Sequence, residues 1–301
     1  MKNKKSVFTK FATKPAFYII IAVIAIAAYI FNTADNTLNI FGDDSATNGD
    51  GKSKIEIHYI DVGQGDAALI LTDAGSVLID AGTTQSGDLV ASYTENRTDE
   101  IDYMILSHPH EDHIGGAGAV LDRIPVKNVV MPDRTADTVC FDRLLMGIEE
   151  SKANVIPAEK GKGIALGELR MEFLSPDPAE DYEEVNNVSA VVRITYGDTS
   201  FLFTGDAEAI VENQILKSGQ KVKCDVLKVG HHGSSSSSTE DFIKAVNPKI
   251  AVISCGKNNS YGHPHAETRE LLEKRGIDYY RTDRNGTVVV VSDGSAVSVK
   301  K

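Results

Sequence analysis

Short apolar runs, each closed by glycine, aspartate or a polar turn, recur along the sequence from residue 54 onward. Such runs predict buried strands when they are about four to eight residues long. We assign strands to residues 55–60, 67–71, 76–79, 101–105, 126–131, 154–156, 164–174, 190–204 (with a hairpin at 196–198), 225–229, 249–254, 279–281 and 287–291. Amphipathic segments predict helices at residues 142–152, 207–217 and 267–275. Strands with helices interspersed between them predict an α/β (α+β) fold for residues 54–301.

The N-terminal 53 residues follow a different pattern. Residues 1–14 hold five lysines and no acidic residue, and residues 16–31 carry no charge. Lysines before an apolar span place the N-terminus in the cytoplasm. We therefore predict a cytoplasmic basic tail at residues 1–15, a single transmembrane anchor at 16–31, a flexible linker at 32–53 and an extracellular domain beyond it. The span is also short enough for a cleaved signal peptide, which would make the domain a secreted one.

Charge is unevenly distributed along the chain. The formal net charge is −12, yet residues 217–301 carry 14 basic against 9 acidic residues and are net positive. An anionic polymer would be repelled by most of the protein and attracted only to its C-terminal third. This argues against tight, non-specific DNA binding and leaves a local site open.

Three cysteines, Cys140, Cys224 and Cys255, form no Cys-x-x-Cys pair, so a thiolate zinc site is not indicated. Cys224 and Cys255 flank apolar runs and are predicted to be buried thiols. A disulfide is the alternative for these two. Because the number of cysteines is odd, at least one thiol is free or pairs between chains.

Histidines gather in a way that suggests one shared site. Seven of the eight fall in three clusters, at residues 108–113, 231–232 and 263–265, and each cluster follows a predicted strand. The first cluster has the sequence Leu-Ser-His-Pro-His-Glu-Asp-His-Ile-Gly-Gly at residues 106–116. Imidazole together with carboxylate suits zinc, manganese or iron better than calcium or magnesium. The eighth histidine, His58, alternates within a strand and is interpreted as a packed or surface residue.

The His-x-His-x-Asp-His pattern of this loop resembles that of the metallo-β-lactamase superfamily. The stretch Asp-Val-Gly-Gln-Gly-Asp at residues 61–66 is similar to the opening of the hydrolase domain of ComEC, a DNA-uptake channel protein. The motifs Gly-His-His-Gly-Ser at 230–234 and Ser-Tyr-Gly-His-Pro-His at 260–265 strengthen this resemblance, which covers about residues 55–292. It implies an αββα sandwich and a metal-dependent hydrolase. The channel helices of ComEC are not part of this sequence, so the chain cannot itself be a DNA pore.

The resemblance also implies a ligand set for two metal ions. His108 and His110 would bind one ion, Asp112 and His113 the other, and Asp206 would bridge both. The second position would be completed by His231 or, with less support from the pattern, by His232. Additional residues are expected to orient the ligands: Asp80, Asp66 and Asn187. For Asp206 an N-cap of the following helix is the alternative role.

One departure from the family pattern affects the metal content. Many relatives supply a third histidine to the first ion from between the central motif and the bridging aspartate, but residues 114–230 contain no histidine. ComEC-type domains lack it too, although they commonly carry aspartate at the position of His110. We therefore expect one tightly bound Zn²⁺ or Mn²⁺ and, at most, one weaker ion.

The same motifs suggest catalytic and substrate-binding residues. Asp112 would support catalysis through its metal ion, and His232 or His263 would protonate the leaving oxygen. Five side chains would bind the substrate: Ser234, His263, Lys257, Arg281 and Arg284. His265 fits a helix-start residue as well as a catalytic one.

Together these features predict a membrane-anchored, extracytoplasmic metallohydrolase that cleaves phosphodiesters, with DNA as the leading substrate and no obligate protein partner. The first alternative is an enzyme for another ester, such as a lactonase or a phosphorylcholine esterase. The second is a nucleic-acid-binding module that retains a metal ion without turnover.

Overall fold

The computed structural model describes residues 54–300, so the predicted tail, membrane anchor and linker lie outside the described residues. Within this range, no helix combines the length and the apolar character that crossing a membrane requires.

The first sheet contains, within residues 54–300, eight strands: β1 (Ile55–Tyr59), β2 (Ala68–Thr72), β3 (Gly75–Ile79), β4 (Ile101–Ile105), β5 (Val126–Met131), β6 (Asn154–Pro157), β14 (Val288–Ser292) and β15 (Val297–Val299). Their order is β15-β14-β1-β2-β3-β4-β5-β6. The neighbours from β15 to β3 are antiparallel, whereas β3, β4, β5 and β6 run parallel.

The second sheet contains, in the same described range, seven strands: β7 (Gly163–Leu166), β8 (Leu169–Ser175), β9 (Val191–Tyr196), β10 (Thr199–Phe203), β11 (Val226–Lys228), β12 (Ile250–Ile253) and β13 (Asp278–Arg281). Their order is β13-β12-β11-β10-β9-β8-β7. β7 to β10 are antiparallel neighbours, and β10 to β13 run parallel.

Helices connect these strands: α1 (Gly87–Glu95), α2 (Glu111–Ile114), α3 (Ala117–Arg123), α4 (Val139–Ser151), α5 (Ala209–Lys217), α6 (Glu240–Val246), α7 (Ala266–Lys274) and α8 (Thr282–Asn285). Two short 3₁₀ turns, Val185–Val188 and Gly230–Gly233, lie next to β9 and β11.

The two sheets face each other across an apolar core. Ile57 and Tyr59 of β1 pack there with Phe173, Phe201 and Phe203 of the second sheet. The rings of Tyr59 and Phe203 stack with centroids 5.6 Å apart. Alternate residues of each strand thus point into the space between the sheets, as the two-residue period of a strand requires.

The outer face of each sheet is covered by helices. Leu202 points away from the inter-sheet core and packs with Val211 of α5 and Phe242 of α6. On the first sheet, Leu78 and Met104 alternate with core residues and are fully buried, and α1 and α4 connect its parallel strands. The order of layers is therefore helix, sheet, sheet, helix, as the sequence resemblance implied.

Several local predictions need correction. The segment 164–174, assigned as extended, is a hairpin whose turn contains Gly167 at φ +55°. Helices α1 and α6 and strand β15 were not predicted, because their apolar positions are few and flanked by polar residues. The disulfide alternative is wrong, since all three cysteines are buried free thiols.

Candidate metal centre

The metal-capable side chains are brought together by strand direction. Asp80 follows β3 and the central histidine loop follows β4, and these two strands are parallel. In the second sheet Asp206 follows β10 and the His231–His232 pair follows β11, again a parallel pair. Because the carboxyl ends of parallel strands meet at one edge of a sheet, four loops converge on one site.

Four overlapping groups of described side chains could hold a cation, and two of them consist of the ligands named from the sequence. We call Asp112, His113 and His232 the Asp112 group, and His108, His110 and Asp206 the His110 group. Within each group the ligand atoms lie within 4.8 Å of one another. The two groups meet at Asp206, whose Oδ1 is 3.3 Å from Nε2 of His113 and whose Oδ2 is 3.8 Å from Nε2 of His108.

Three buried atoms at this meeting point have no hydrogen-bond partner: His113 Nε2, His232 Nε2 and Asp206 Oδ1. Two of them lie within ion-pair distance of a carboxylate: His113 Nε2 is 3.3 Å from Asp206 Oδ1, and His232 Nε2 is 3.2 Å from Asp112 Oδ2. Leaving such polar groups buried and unsatisfied costs free energy. A divalent cation between them would satisfy all three at once, and imidazole with carboxylate is a donor set that suits zinc or manganese. The residues therefore fit a bound metal ion.

The outward-facing nitrogen of each histidine in the Asp112 group is fixed by a carboxylate. His113 Nδ1 lies 2.9 Å from Asp80 Oδ2, and His232 Nδ1 lies 3.2 Å from Asp66 Oδ1 and 3.1 Å from the carbonyl oxygen of Ser254. Nδ1–H of His113 donates a hydrogen bond to Asp80, and Nδ1–H of His232 donates one to Ser254, with Asp66 as a charged neighbour. Nε2 of each ring can therefore bind a metal ion. Asp80 and Asp66 thus lie next to Nδ1 of His113 and of His232.

Asp66 forms an ion pair with Lys228, a residue that was not predicted from the sequence. Lys228 is 3% exposed, and its Nζ lies 2.7 Å from Asp66 Oδ2 and donates a hydrogen bond to the carbonyl oxygen of Val229. Burial opposes ionisation of Asp66, but the adjacent charges of Lys228 and His232 outweigh it and lower the pKa of this carboxyl to about 2. The sequence pattern of β11 did not predict that Lys228 is buried, because a lysine in a strand normally faces solvent.

The His110 group has hydroxyl partners instead. Ser107 Oγ lies 3.0 Å from His108 Nδ1, and Ser189 Oγ lies 3.4 Å from the same atom. His108 Nε2 and His110 Nδ1 are 2.9 Å apart and satisfy each other. Ser189 also accepts a hydrogen bond from the backbone N–H of Asp206. Neither serine was predicted, although Ser107 lies inside the quoted motif at residues 106–116 and Ser189 is two residues from Asn187.

Without a metal ion, the pKa values of the Asp112 and Asp206 carboxyl groups are lowered and the pKa of His232 is raised. Burial opposes ionisation of Asp112 and Asp206, but the adjacent imidazoles of His113 and His232 lower both pKa values well below the usual range. Burial likewise opposes protonation of His232, yet Asp206 and Asp66 raise its pKa to about 10. Before a cation binds, protons on the imidazoles balance these carboxylates.

The preference for His231 over His232 is not supported by this geometry. His232 is the member of the pair that lies within ligand distance of Asp112 and His113, and it is fully buried. His231 contacts Asp206 Oδ2 at 3.6 Å and Ser236 Oγ at 3.1 Å. Both histidines have positive φ, of 49° and 54°, so the backbone at this pair is left-handed. A sequence pattern does not reveal such a backbone conformation.

The alternative role for Asp206 is wrong. Helix α5 begins at Ala209 and its N-cap position is occupied by Glu208. Gly205, at φ +51°, turns the chain so that Asp206 points to the histidines, and a Cβ at Gly205 would approach Ser107 Cβ to 2.8 Å. This position therefore requires glycine.

Asn187 contacts no ligand directly. It accepts a hydrogen bond from the backbone N–H of Glu208 and donates one from Nδ2 to Oε2 of the same residue. Glu208 Oε1 in turn lies 3.7 Å from His231 Nδ1. Asn187 therefore contacts Glu208 and not, as had been predicted, a metal-capable side chain.

Among the predicted substrate-binding residues, Ser234 is buried and bonds to Ser236 Oγ at 3.1 Å, so it is already satisfied. His263 stays available. Its Nδ1 has no hydrogen-bond partner, and its ring lies 6.1 Å from that of His232. Burial and the adjacent imidazoles of His232 and His231 lower the pKa of His263 to about 4. A ring that is neutral at pH 7 suits hydrogen bonding to a substrate better than proton donation to a leaving group.

The three basic residues predicted to grip a polyanion differ in availability. Arg281 is buried and its guanidinium donates to both carboxylate oxygens of Asp283, at 2.9 and 2.7 Å. This pairing contradicts a role for Arg281 in substrate binding. Lys257 and Arg284 are exposed. His265 occupies the N-cap position of α7, which fits its alternative as a helix-start residue.

Comparison with known proteins places the sequence among relatives of competence proteins. It is 35% identical over 255 residues to ComE operon protein 3 of Bacillus subtilis, covering 78% of this chain and 33% of the relative. It is 31% identical over 240 residues to recombination protein 2 of Haemophilus influenzae, covering 78% of this chain and 28% of the relative. The chain thus spans about a third of the length of these curated relatives.

Solved structures support the fold. The metallo-beta-lactamase fold protein YhfI from Bacillus subtilis superposes with a TM-score of 0.52 at 16% identity, covering 76% of this chain and 95% of that one. The family profile described as metallo-beta-lactamase superfamily matches residues 60–257. With this match and the convergent His and Asp side chains, the chain belongs to the metallo-β-lactamase superfamily and has the fold of a metal-dependent hydrolase related to competence proteins.

Proposed function

We propose that this protein is a metal-dependent phosphodiesterase that cleaves DNA, anchored to the cell membrane with its hydrolase domain outside. The assignment as a hydrolase is supported by three buried atoms that lack hydrogen bonds, on His113, His232 and Asp206. They lie together where the four loops converge. The relatives with competence and recombination names support nucleic acid as the substrate class.

The Asp112 group would hold the tighter ion, and the His110 group, sharing Asp206, would hold a weaker one. When bound, a divalent ion lowers the pKa of a coordinated water and polarises the oxygen under attack. Among the residues themselves, Asp80 and Asp66 orient His113 and His232. His263 donates or accepts a hydrogen bond at the substrate, and the exposed Lys257 and Arg284 attract the charged backbone of the polymer.

Turnover of a substrate panel tests the proposal. The purified chain, loaded with Zn²⁺ or Mn²⁺, is assayed on single-stranded DNA, bis-p-nitrophenyl phosphate and a lactone, with the Asp112→Ala variant as the matched control. Metal-dependent cleavage of DNA and of the small phosphodiester, absent from the control, is expected. Lactone turnover alone would favour the other ester hydrolases. DNA binding without turnover would favour the binding module.

Metal content is the second test. We expect close to one divalent ion to survive dialysis against a chelator, and a second to bind only in excess metal, as read by elemental analysis. Two ions that resist extended chelation would contradict the unequal sites.

Location is tested separately. Protease added to intact cells should cut the predicted linker at residues 32–53 and release the domain. Complete protection would contradict an extracellular domain, and release without protease would indicate the secreted alternative.

A further inference from the structure

One loop next to the site carries an exposed aromatic ring that the mechanism above does not use. Tyr261 is 66% exposed. Its ring stacks on that of His263, with centroids 5.6 Å apart and planes inclined by 20°. His263 in turn lies 6.1 Å from His232, with an inclination of 27°. The rings of His232, His263 and Tyr261 therefore form a row that leads from the Asp112 group to solvent.

The loop holds this ring in a fixed place. Asn259 donates from Nδ2 to the carbonyl oxygens of Gly256 and His263, at 2.9 and 2.7 Å, and accepts a hydrogen bond from the backbone N–H of His263. At its other end, Gly256 is so close to Gln64 that a Cβ would approach Gln64 N to 2.7 Å. A ring on a braced loop loses little conformational entropy when a ligand stacks on it.

The loop also carries a cation. Lys257 is exposed, four residues before Tyr261 and on the same Asn259-braced turn. An aromatic ring beside a positive charge is the combination by which proteins bind single-stranded nucleic acid, with the base stacked on the ring and the backbone attracted by the charge.

We propose that Tyr261 stacks a nucleobase of a single-stranded substrate, next to the phosphodiester that lies at the Asp112 group. The outer face of the Tyr261 ring receives the base, and His263 supports the inner face. Only the rings of His263 and Tyr261 separate the stacked base from His232. The base that stacks is therefore that of one nucleotide, at a defined position near the scissile bond. This inference rests on the proposed nuclease function and deepens it, since it requires unpaired bases in the substrate.

A double-mutant cycle between protein and DNA tests the stacking. Single-stranded oligonucleotides carrying one abasic residue, moved position by position along the strand, are cleaved by the wild-type chain and by Tyr261→Leu and Tyr261→Phe. For the wild type and Tyr261→Phe, kcat/KM should fall about 5- to 100-fold when the abasic residue occupies one particular position relative to the cut. Tyr261→Leu should show the same loss on intact DNA and no further loss at that position.

The controls separate stacking from folding and from the nuclease proposal itself. Met146→Ala removes another exposed apolar side chain, on α4, and should leave cleavage of every oligonucleotide unchanged. If the Tyr261→Leu and abasic losses multiply, the stacking proposal is wrong while the nuclease proposal stands. If the wild type cleaves no oligonucleotide yet hydrolyses another ester, both proposals are wrong.

Discussion

The two groups of the metal centre share Asp206 but differ in what stands behind their histidines. In the Asp112 group, His113 and His232 face Asp80 and Asp66 with Nδ1 and leave Nε2 unsatisfied. In the His110 group, the two histidines bond to each other, and only serine hydroxyls stand behind His108.

This difference explains why the Asp112 group should bind a metal ion more tightly than the His110 group. A carboxylate behind an imidazole raises its basicity and fixes its orientation, whereas a hydroxyl does so weakly. An ion would also stabilise the Asp112 group because Nε2 of His113 and Nε2 of His232 make no hydrogen bond, whereas His108 and His110 must give up a mutual hydrogen bond. The missing third histidine, noted in the sequence, points in the same direction.

The largest expected effect comes from removing one ligand of each group. Asp112→Ala should lower turnover by more than about 100-fold, since even groups that only orient ligands are worth about 10- to 100-fold. His110→Ala should cost only about tenfold, because it affects the weaker site. Steady-state kinetics with bound metal measured in parallel gives both values. Asp88→Ala, at an exposed position of α1, is the control. Equal losses of turnover in the two ligand variants would remove the distinction between the groups.

The next test removes the cation below the Asp112 group. Lys228→Met should lower the free energy of unfolding by about 3–5 kcal/mol, because the buried Asp66 would lose its lysine partner and keep only His232 beside it. Adding Asp66→Asn should recover part of this loss, since the uncompensated charge is then gone. Urea unfolding in the presence of a chelator measures the protein without metal. Additive losses in the double variant would mean that the two residues act independently.

Exchanging the supporting groups sharpens the comparison itself. Asp80→Asn should weaken the tighter metal site by about 10- to 100-fold, because the amide holds His113 less well. Ser189→Ala removes a weaker contact to His108 and should change the affinity of the second site by less than about fivefold. Competition with a chromogenic chelator reads both affinities. A larger effect from the serine would reverse the assignment of tight and weak sites.

The smallest effect is expected outside both groups. Lys257→Ala with Arg284→Ala should raise KM for single-stranded DNA a few fold and flatten the salt dependence by about 1.4 in the log–log slope, at about 0.7 per charge. Metal affinity should not change. Arg281→Ala, in contrast, should destabilise the fold through loss of the Asp283 pair while leaving the salt slope intact. Unaltered DNA cleavage by the double variant at every salt concentration would argue against nucleic acid as the substrate.

The sequence by itself predicted most strands along the chain and named most of the metal-capable side chains that the structure brings together. Apolar runs with polar loops at their ends predicted the strands, because the period of a strand is visible in its residues. The His-x-His-x-Asp-His pattern lies within six residues, so local spacing alone brings its side chains to one loop. The resemblance then supplied Asp206 and Asp80 from distant positions.

Only the tertiary structure decided which neighbours complete the site. His232, and not His231, lies within ligand distance of Asp112 and His113, in a segment where both histidines have left-handed φ. Lys228 pairs with Asp66, which is far from it in sequence. The guanidinium of Arg281 is held by Asp283 and is not available to a substrate. The sequence pattern does not predict this pairing, although the two residues are close in sequence. These contacts depend on backbone turns and on burial between two sheets, so the residue types alone could not decide them.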